Sequence, residues 1–245
     1  MRDLLQQRRR VAIVPAFNEE GAIADVVAEI LSFDPGLEVV VIDDGSVDQT
    51  ASVARAAGAH VLKLPFNLGI GGAVQTGFRY AHENDFDLAV RVDGDGQHNP
   101  AQLGAVIEPV LRDEADIAVG SSYLAASGGY QSSASRRMGI RILAGTASML
   151  TRQRITDPTS GFQALNRKAI RLFAADYPHD YPEVEGLVML IRHRLRFVEV
   201  PVAMRPRAAG QSSIRALSSV YYMVKVLLAL FVGAFRRNVV PLEER

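Results

Sequence analysis

Short apolar runs rich in Val and Ile alternate with longer stretches rich in Ala, Val and Leu through the first half of the chain. The runs are residues 11–16, 37–43, 59–64 and 88–92, and the stretches between or after them are 22–31, 48–57, 71–82 and 101–112. Runs of four to seven apolar residues followed by segments long enough for three helical turns predict a parallel sheet whose strands are joined by helical crossovers. Farther along, residues 115–121 predict another strand and 196–204 a late one. Residues 125–135 are dense in Ala, Ser and Gly without a period and predict a mobile loop. Residues 136–154 predict a helix with arginines toward both ends, and 157–162 a turn. No internal repeat or low-complexity linker divides the chain.

Ligands of open α/β sheets collect at the carboxyl ends of strands, where loops and helix N-termini converge. The polar residues stand there. The first strand runs into Pro15, Ala16, Asn18, Glu19 and Glu20; the second into Asp43, Asp44, Gly45 and Ser46; the fourth into Asp93, Gly94, Asp95, Gly96, Gln97 and His98. Asp93 and Asp95, separated and followed by glycine, offer two carboxylates on a sharply turning backbone that admits a bulky anion. Hard cations such as Mg²⁺ and Mn²⁺ prefer carboxylate oxygens and share their shell with substrate phosphates, so this turn is a candidate metal diphosphate site, with His98 as a further ligand. An Asp-Gly turn with no ligand is the plainer alternative. Asp43 and Asp44 repel one another unless a cation or hydrogen-bond donors compensate, and a nucleoside supplies such donors. Asp48 is expected to cap the following helix.

The segment from Asn67 to Gly77 is a glycine-rich entry into a helix. Gly69 and Gly71 match two glycines of a dinucleotide fingerprint, but Val74 replaces the third, which argues against a dehydrogenase. Lys plus Arg and Asp plus Glu both total 27, so no long-range attraction to nucleic acid is expected. The absence of cysteine removes disulfides, thiolate metal sites and a Cys nucleophile. With 48% apolar and 22% charged residues the chain is expected to fold. The polar, basic start contains neither a signal peptide nor a span, which predicts a cytoplasmic protein.

PAFNEE (15–20), DDGSVDQT (43–50), NLGIGGA (67–73) and DGDGQH (93–98), in this order and spacing, resemble the family 2 glycosyltransferases of GT-A fold, closest to the dolichyl- or polyprenyl-phosphate sugar synthases. TSGF (159–162) and EVPVAMRPRAAGQSS (199–213) extend the resemblance over residues 10–213. It implies a three-layer α/β fold and inverting transfer from a UDP- or GDP-sugar to a lipid-phosphate or saccharide acceptor, dependent on Mg²⁺ or Mn²⁺. Pro15, Ala16, Asn18, Glu19, Asp44, Asn67 and Gly71 would line the nucleoside pocket, while Asp93, Gly94 and Asp95 would hold the metal diphosphate and donor sugar. Arg205, Arg207 and Ser212 would bring basic and hydroxyl groups to the diphosphate, a task that suits the planar donors of arginine. Glu185 is the leading candidate for a general base toward a hydroxyl acceptor, ahead of Glu183 and Asp157. The segment DYPEVEG (180–186) departs from the form seen in lipid-phosphate synthases and leaves the acceptor open.

Residues 1–213 are expected to form the catalytic domain and 214–245 an apolar helical appendage. The stretch 220–234 is interrupted by one charge, Lys225; as a helix it would reach about 22 Å. That falls short of the roughly 30 Å hydrocarbon core, so it predicts a helix lying at the inner membrane face or packed on its own domain or on a second subunit. A non-catalytic nucleotide-sugar binding protein and a nucleotidyltransferase are the competing readings. The second would carry a basic glycine-rich loop where PAFNEE is acidic.

Overall fold

The structure, a computed structural model, describes residues 8–124, 134–205 and 225–231. Seven strands form one sheet in the order β3-β2-β1-β4-β6-β5-β7. They are β1 (Arg10–Ala16), β2 (Glu38–Asp43), β3 (His60–Lys63), β4 (Leu88–Arg91), β5 (Ile117–Ser121), β6 (Gln163–Asn166) and β7 (Phe197–Pro201). All neighbours run parallel except where β6 inserts antiparallel between β4 and β5. The α/β class and mostly parallel sheet agree with the alternation in the sequence.

The helices are α1 (Ile23–Phe33), α2 (Thr50–Ala56), α3 (Gly69–Glu83), α4 (Leu103–Leu111), α5 (Ala134–Thr151), α6 (Arg167–Ala175) and α7 (Pro182–Arg192). Side chains alternate across each strand, so one face of β1 gives Ala12 and Val14 to a core with Ile23, Val27 and Ile30 of α1 and Leu103, Val106 and Ile107 of α4. Its other face gives Val11 and Ile13 to a core with Val74 and Phe78 of α3 and Ile170 and Phe173 of α6. Helices therefore cover both sides, which is what a sheet apolar on both faces requires.

β6 and α6 were not expected. Gln-Ala-Leu-Asn is polar at both ends and offers only two apolar residues in a row, and Asn166 at once turns the chain into α6 by accepting the Ala169 N–H at 3.1 Å. The helix expected from residue 101 begins instead with a 3₁₀ turn, Pro100–Gln102, where the Asn99 side chain accepts from Ala101. Asp48 does support the start of α2, accepting the Thr50 N–H at 2.9 Å. The expected loop at 125–135 falls on residues of which 125–133 lie outside the description.

Part of the C-terminal segment is described. Residues 225–231 are helical, and Val226 and Leu230 bury against Leu143 and Ala147 of α5 and Val184, Leu187 and Val188 of α7. Leu228 and Phe231 face outward, each 60% exposed. Among the described residues no helix is long and apolar enough to cross a membrane.

Asp116 holds the far side of the sheet together. Its buried carboxylate accepts the Arg196 N–H at 2.7 Å, Arg196 Nη2 at 3.1 Å and Asn166 Nδ2 at 2.7 Å, tying the chain before β5 to that after β6 and before β7. Asp116→Ala is expected to cost about 2 kcal/mol, because it strands those donors. Burial alone would raise the Asp116 pKa, but the hydrogen bonds from Arg196 and Asn166 outweigh it and bring it below its ordinary value. A depressed carboxylate pKa adds stability above the unfolded value, near 4, and loses it as pH falls through the folded one. Urea unfolding should therefore show a smaller gap between wild type and Asp116→Ala at pH 3 than at pH 7.

Candidate active site

The strand order reverses between β1 and β4, and the crevice at such a switch point is the place where open sheets bind ligands. The loops leaving β1 and β2 and the approach to α3 are stitched together there. The Asn18 N–H donates to Ser46 Oγ at 2.9 Å, and Asn18 Oδ1 accepts from Val47 at 3.0 Å. The Glu19 N–H donates to Thr50 Oγ1 at 2.8 Å. Gly45 has φ +74, and a Cβ there would lie 2.7 Å from the Phe66 carbonyl carbon, so only glycine lets the second loop meet the chain before Asn67. Asn18 adopts a left-handed φ of 55, a conformation that asparagine tolerates.

Asp44, expected in the nucleoside pocket, spends both oxygens on α3. It accepts the Leu68 N–H at 2.7 Å and the Gly69 N–H at 2.9 Å, satisfying donors that the helix leaves unpaired. Burial raises its pKa, against the effect of those hydrogen bonds. Asp43 is fully buried, with Oδ1 accepting from Ser46 N and Oδ2 lacking a hydrogen bond, the nearest cation being Lys63 Nζ at 3.8 Å. A buried acceptor without a donor suits a base N–H or a ribose hydroxyl. Asn67 is exposed at the rim, its side chain accepting the Gly69 N–H. Gly71, also expected at the nucleotide, is buried against the Pro178–His179 backbone, where a Cβ would lie 2.5 Å from the His179 oxygen.

The DGDG turn follows β4 directly. Gly94 fits against the exit of β1: its N–H donates to the Pro15 carbonyl at 3.2 Å, and a Cβ would approach that oxygen to 3.0 Å and the Ala16 Cβ to 3.2 Å. Asp95 is 7% exposed, with Oδ1 accepting the Gln97 N–H at 3.0 Å. Asp93 faces Arg91 Nη2 at 3.2 Å. Pro15, Ala16, Asn18, Glu19, Asp44, Asp93, Gly94 and Asp95 thus converge at one end of the sheet.

Other expected site residues are engaged within the protein. His98 is buried, and its Nδ1 accepts the Asp93 N–H at 2.9 Å, while Nε2 lies 3.7 Å from Asp93 Oδ2. Burial lowers its pKa, so the neutral ring carries its proton on Nε2 and has its lone pair committed at Nδ1. His98 is stacked on Phe162 with ring centroids 5.0 Å apart and is held against the Asp93 backbone. Arg205 pairs with Glu29 of α1 at 2.8 Å and with Asn99, in the loop after the DGDG turn, at 2.7 Å. In the first turn of α7 Glu183, ranked behind Glu185 in the sequence, reaches the network of β4, binding Arg91 Nη2 at 2.7 Å. Glu185 is half-buried on the same helix. Asp157, buried and with its pKa raised by that burial, accepts from Ser122 Oγ and Thr159 Oγ1 and staples the TSGF turn to the end of β5. Arg207 and Ser212 lie outside the described residues.

Arg91 escaped the sequence reading, although a charged residue closing a run of Leu, Ala and Val was the available signal. Gly161 of TSGF makes room for it: a Cβ there would lie 2.9 Å from both Arg91 Nη2 and Asp93 Oδ2.

Among the described residues no three His, Cys, Asp or Glu side chains form a metal cage. Two nearby carboxylates are nonetheless the donor set of a cation that takes most of its shell from phosphates and water, so the residues fit Mg²⁺ or Mn²⁺ delivered with a nucleotide.

The family described as Glycosyl transferase family 2 matches residues 11–173. An uncharacterized protein of Methanocaldococcus jannaschii is 32% identical over 192 residues, covering 78% of this chain and 79% of its own. An undecaprenyl-phosphate mannosyltransferase of Micrococcus luteus is 30% identical over 218 residues, covering 84% and 87%. Among solved structures, glucosyl-3-phosphoglycerate synthase of Mycobacterium tuberculosis with Mn²⁺, UDP-glucose and glycerol 3-phosphate superposes with a TM-score of 0.71 at 22% identity, covering 95% of this chain and 82% of that one.

Proposed function

Because this chain belongs to glycosyltransferase family 2, we propose that it transfers a hexosyl group with inversion from a UDP- or GDP-sugar to a lipid phosphate. The observation that carries this reading is the position of Asp93 and Asp95 at the switch point, beside the cross-linked loops that leave β1 and β2. An acceptor oxygen attacks the anomeric carbon opposite the diphosphate; the bond from that carbon to the diphosphate oxygen breaks, and the nucleoside diphosphate leaves with the electron pair. A divalent cation held by Asp93 and Asp95 would neutralise charge growing on the leaving group. The stitched loops fix the nucleoside, so that binding energy is available to orient the sugar. Arg207 and Ser212 are proposed to complete the diphosphate site.

Glu183 is engaged by Arg91 at 2.7 Å. An ionised phosphate oxygen needs no general base, whereas a sugar hydroxyl does. The mannosyltransferase name of the Micrococcus luteus relative supports a lipid-phosphate acceptor. So does an exposed apolar stripe on α5, Met138, Ile142 and Met149, with Arg141 and Arg152 exposed on and just beyond that helix, a combination suited to peripheral contact with an anionic membrane.

A saccharide acceptor with Glu185 as base is the second reading, and one variant separates the two. With polyprenyl phosphate as acceptor, Glu185→Gln is expected to keep kcat within about threefold of wild type; a base role would cost on the order of 100-fold or more. Steady-state transfer of radiolabelled sugar to polyprenyl phosphate and to a panel of free glycans tests both. Turnover on glycans alone, lost in Glu185→Gln, would replace the lipid reading.

A further inference from the structure

Arg91 is a buried charge within the central sheet for which the transfer chemistry above has no use. It closes β4 with 1% of its surface exposed, in register with Ile13 of β1 and Gln163 of β6. Taking a guanidinium out of water costs several kcal/mol unless carboxylates compensate. Two do so, from distant parts of the chain. Nε donates to Asp93 Oδ1 at 3.2 Å, and Nη2 donates to Glu183 Oε1 at 2.7 Å. Burial alone would lower the Arg91 pKa, and the charges of Asp93 and Glu183 more than reverse that, so the group stays protonated. The Tyr177 hydroxyl is buried beside it. Apolar residues of similar volume would often be neutral or stabilising at such a place, so the ion triad is poorly explained by stability alone. Geometry explains it better. A planar fork of donors holds two carboxylates in one fixed arrangement, which a lysine ammonium does not reproduce.

We infer that Arg91 is a positioning residue that locks the first carboxylate of the DGDG turn to the first turn of α7, so that the turn and the helix keep one relative arrangement. The inference rests on the family 2 reading of the DGDG turn and deepens it: Asp93 and Glu183 act as one unit through Arg91. The lack of any room at Gly161 belongs to the same device, since the TSGF turn presses on both Arg91 and Asp93.

The test compares wild type, Arg91→Lys, Arg91→Met, Glu183→Gln and the Arg91→Met/Glu183→Gln double variant. Calorimetric titration with UDP and GDP in Mn²⁺ is one readout, and kcat and KM for transfer to polyprenyl phosphate are the other. Arg91→Met is expected to weaken Mn²⁺-nucleotide affinity about tenfold and lower kcat about 100-fold, roughly 3 kcal/mol. Arg91→Lys should recover the melting temperature while kcat stays about tenfold down, a split that a merely structural charge would not produce. In the double variant the second change should cost no more than about threefold, because coupled residues are non-additive. Wild-type kcat and affinity in folded Arg91→Lys, or fully multiplicative losses, would overturn the inference. If Arg91→Met fails to fold, the cycle is run with Arg91→Lys and Glu183→Gln under the same criterion. A wild-type protein that binds neither nucleotide with Mn²⁺ sinks the site reading and the inference with it. A wild type that binds, with variants that bind and turn over equally well, sinks only the inference.

Discussion

Asp95→Asn is expected to lower sugar transfer by on the order of 1,000-fold, about 4 kcal/mol of transition-state stabilisation, and to abolish Mn²⁺-dependent nucleotide binding. The magnitude follows from what the leaving group requires. Breaking the anomeric bond concentrates negative charge on a diphosphate oxygen, and a fixed cation in a site closed to water is worth far more there than in bulk solvent. The substitution isolates that contribution because it spares the fold. Asp95 Oδ1 accepts the Gln97 N–H, and an asparagine amide oxygen keeps that bond with the same shape. The 7% exposure of Asp95 leaves little room for a rearranged side chain to hide an effect. Thermal shift with UDP and GDP, with and without Mn²⁺, checks binding apart from turnover, because a ligand that binds only the folded state raises its stability by mass action. Metal-dependent binding retained in Asp95→Asn would show that the cation sits elsewhere.

Legibility of the fold divides by how local its cause is. Strands β1 to β5 are runs of Val, Ile, Leu and Ala long enough to announce themselves, and the carboxyl-end rule then brings PAFNEE, DDGS and DGDG to one end of the sheet. β6 was hidden because Gln163 and Asn166 leave it a single Ala-Leu pair with no apolar run around it, and its antiparallel insertion between β4 and β5 is a matter of tertiary packing. The same division runs through the site. Asp95 was legible as a carboxylate flanked by glycines. Whether Glu183 or Glu185 reaches the β4 network depends on how α7 is rotated against the sheet, and the decisive contact, with Arg91, spans 92 positions of sequence. His98 and Arg205 were assigned by chemistry that suits them, but side-chain chemistry does not reveal that His98 is consumed by the Asp93 backbone or that Arg205 meets Glu29. Gly71 shows the converse: a glycine expected to line the nucleoside pocket admits a neighbouring backbone.

That last contact yields a large effect from a single methyl group. In Gly71→Ala the new Cβ would lie 2.5 Å from the His179 oxygen, 2.6 Å from its Cα and 2.6 Å from the Pro178 oxygen, so a backbone segment and not a flexible side-chain end must move. Overpacking of this kind costs about 3 kcal/mol, and the better helix propensity of alanine returns about 1, leaving a net loss of about 2 kcal/mol. For a chain of this size that lowers Tm by roughly 6 °C. The displaced segment leads straight into α7, so the shift is carried to Glu183 and the Arg91 fork, and kcat should fall about tenfold or more even among folded molecules. Gly145→Ala is the matched control, since its Cβ on α5 meets nothing within 4 Å; there the propensity gain stands alone, and stability should be unchanged or rise by up to about 1 kcal/mol with kcat intact. Thermal unfolding and single-turnover transfer on both variants decide the matter. Equal behaviour of the two alanines would mean that α3 and the Pro178–His179 segment do not touch, and the route by which α3 packing reaches the carboxylates of the site would be lost.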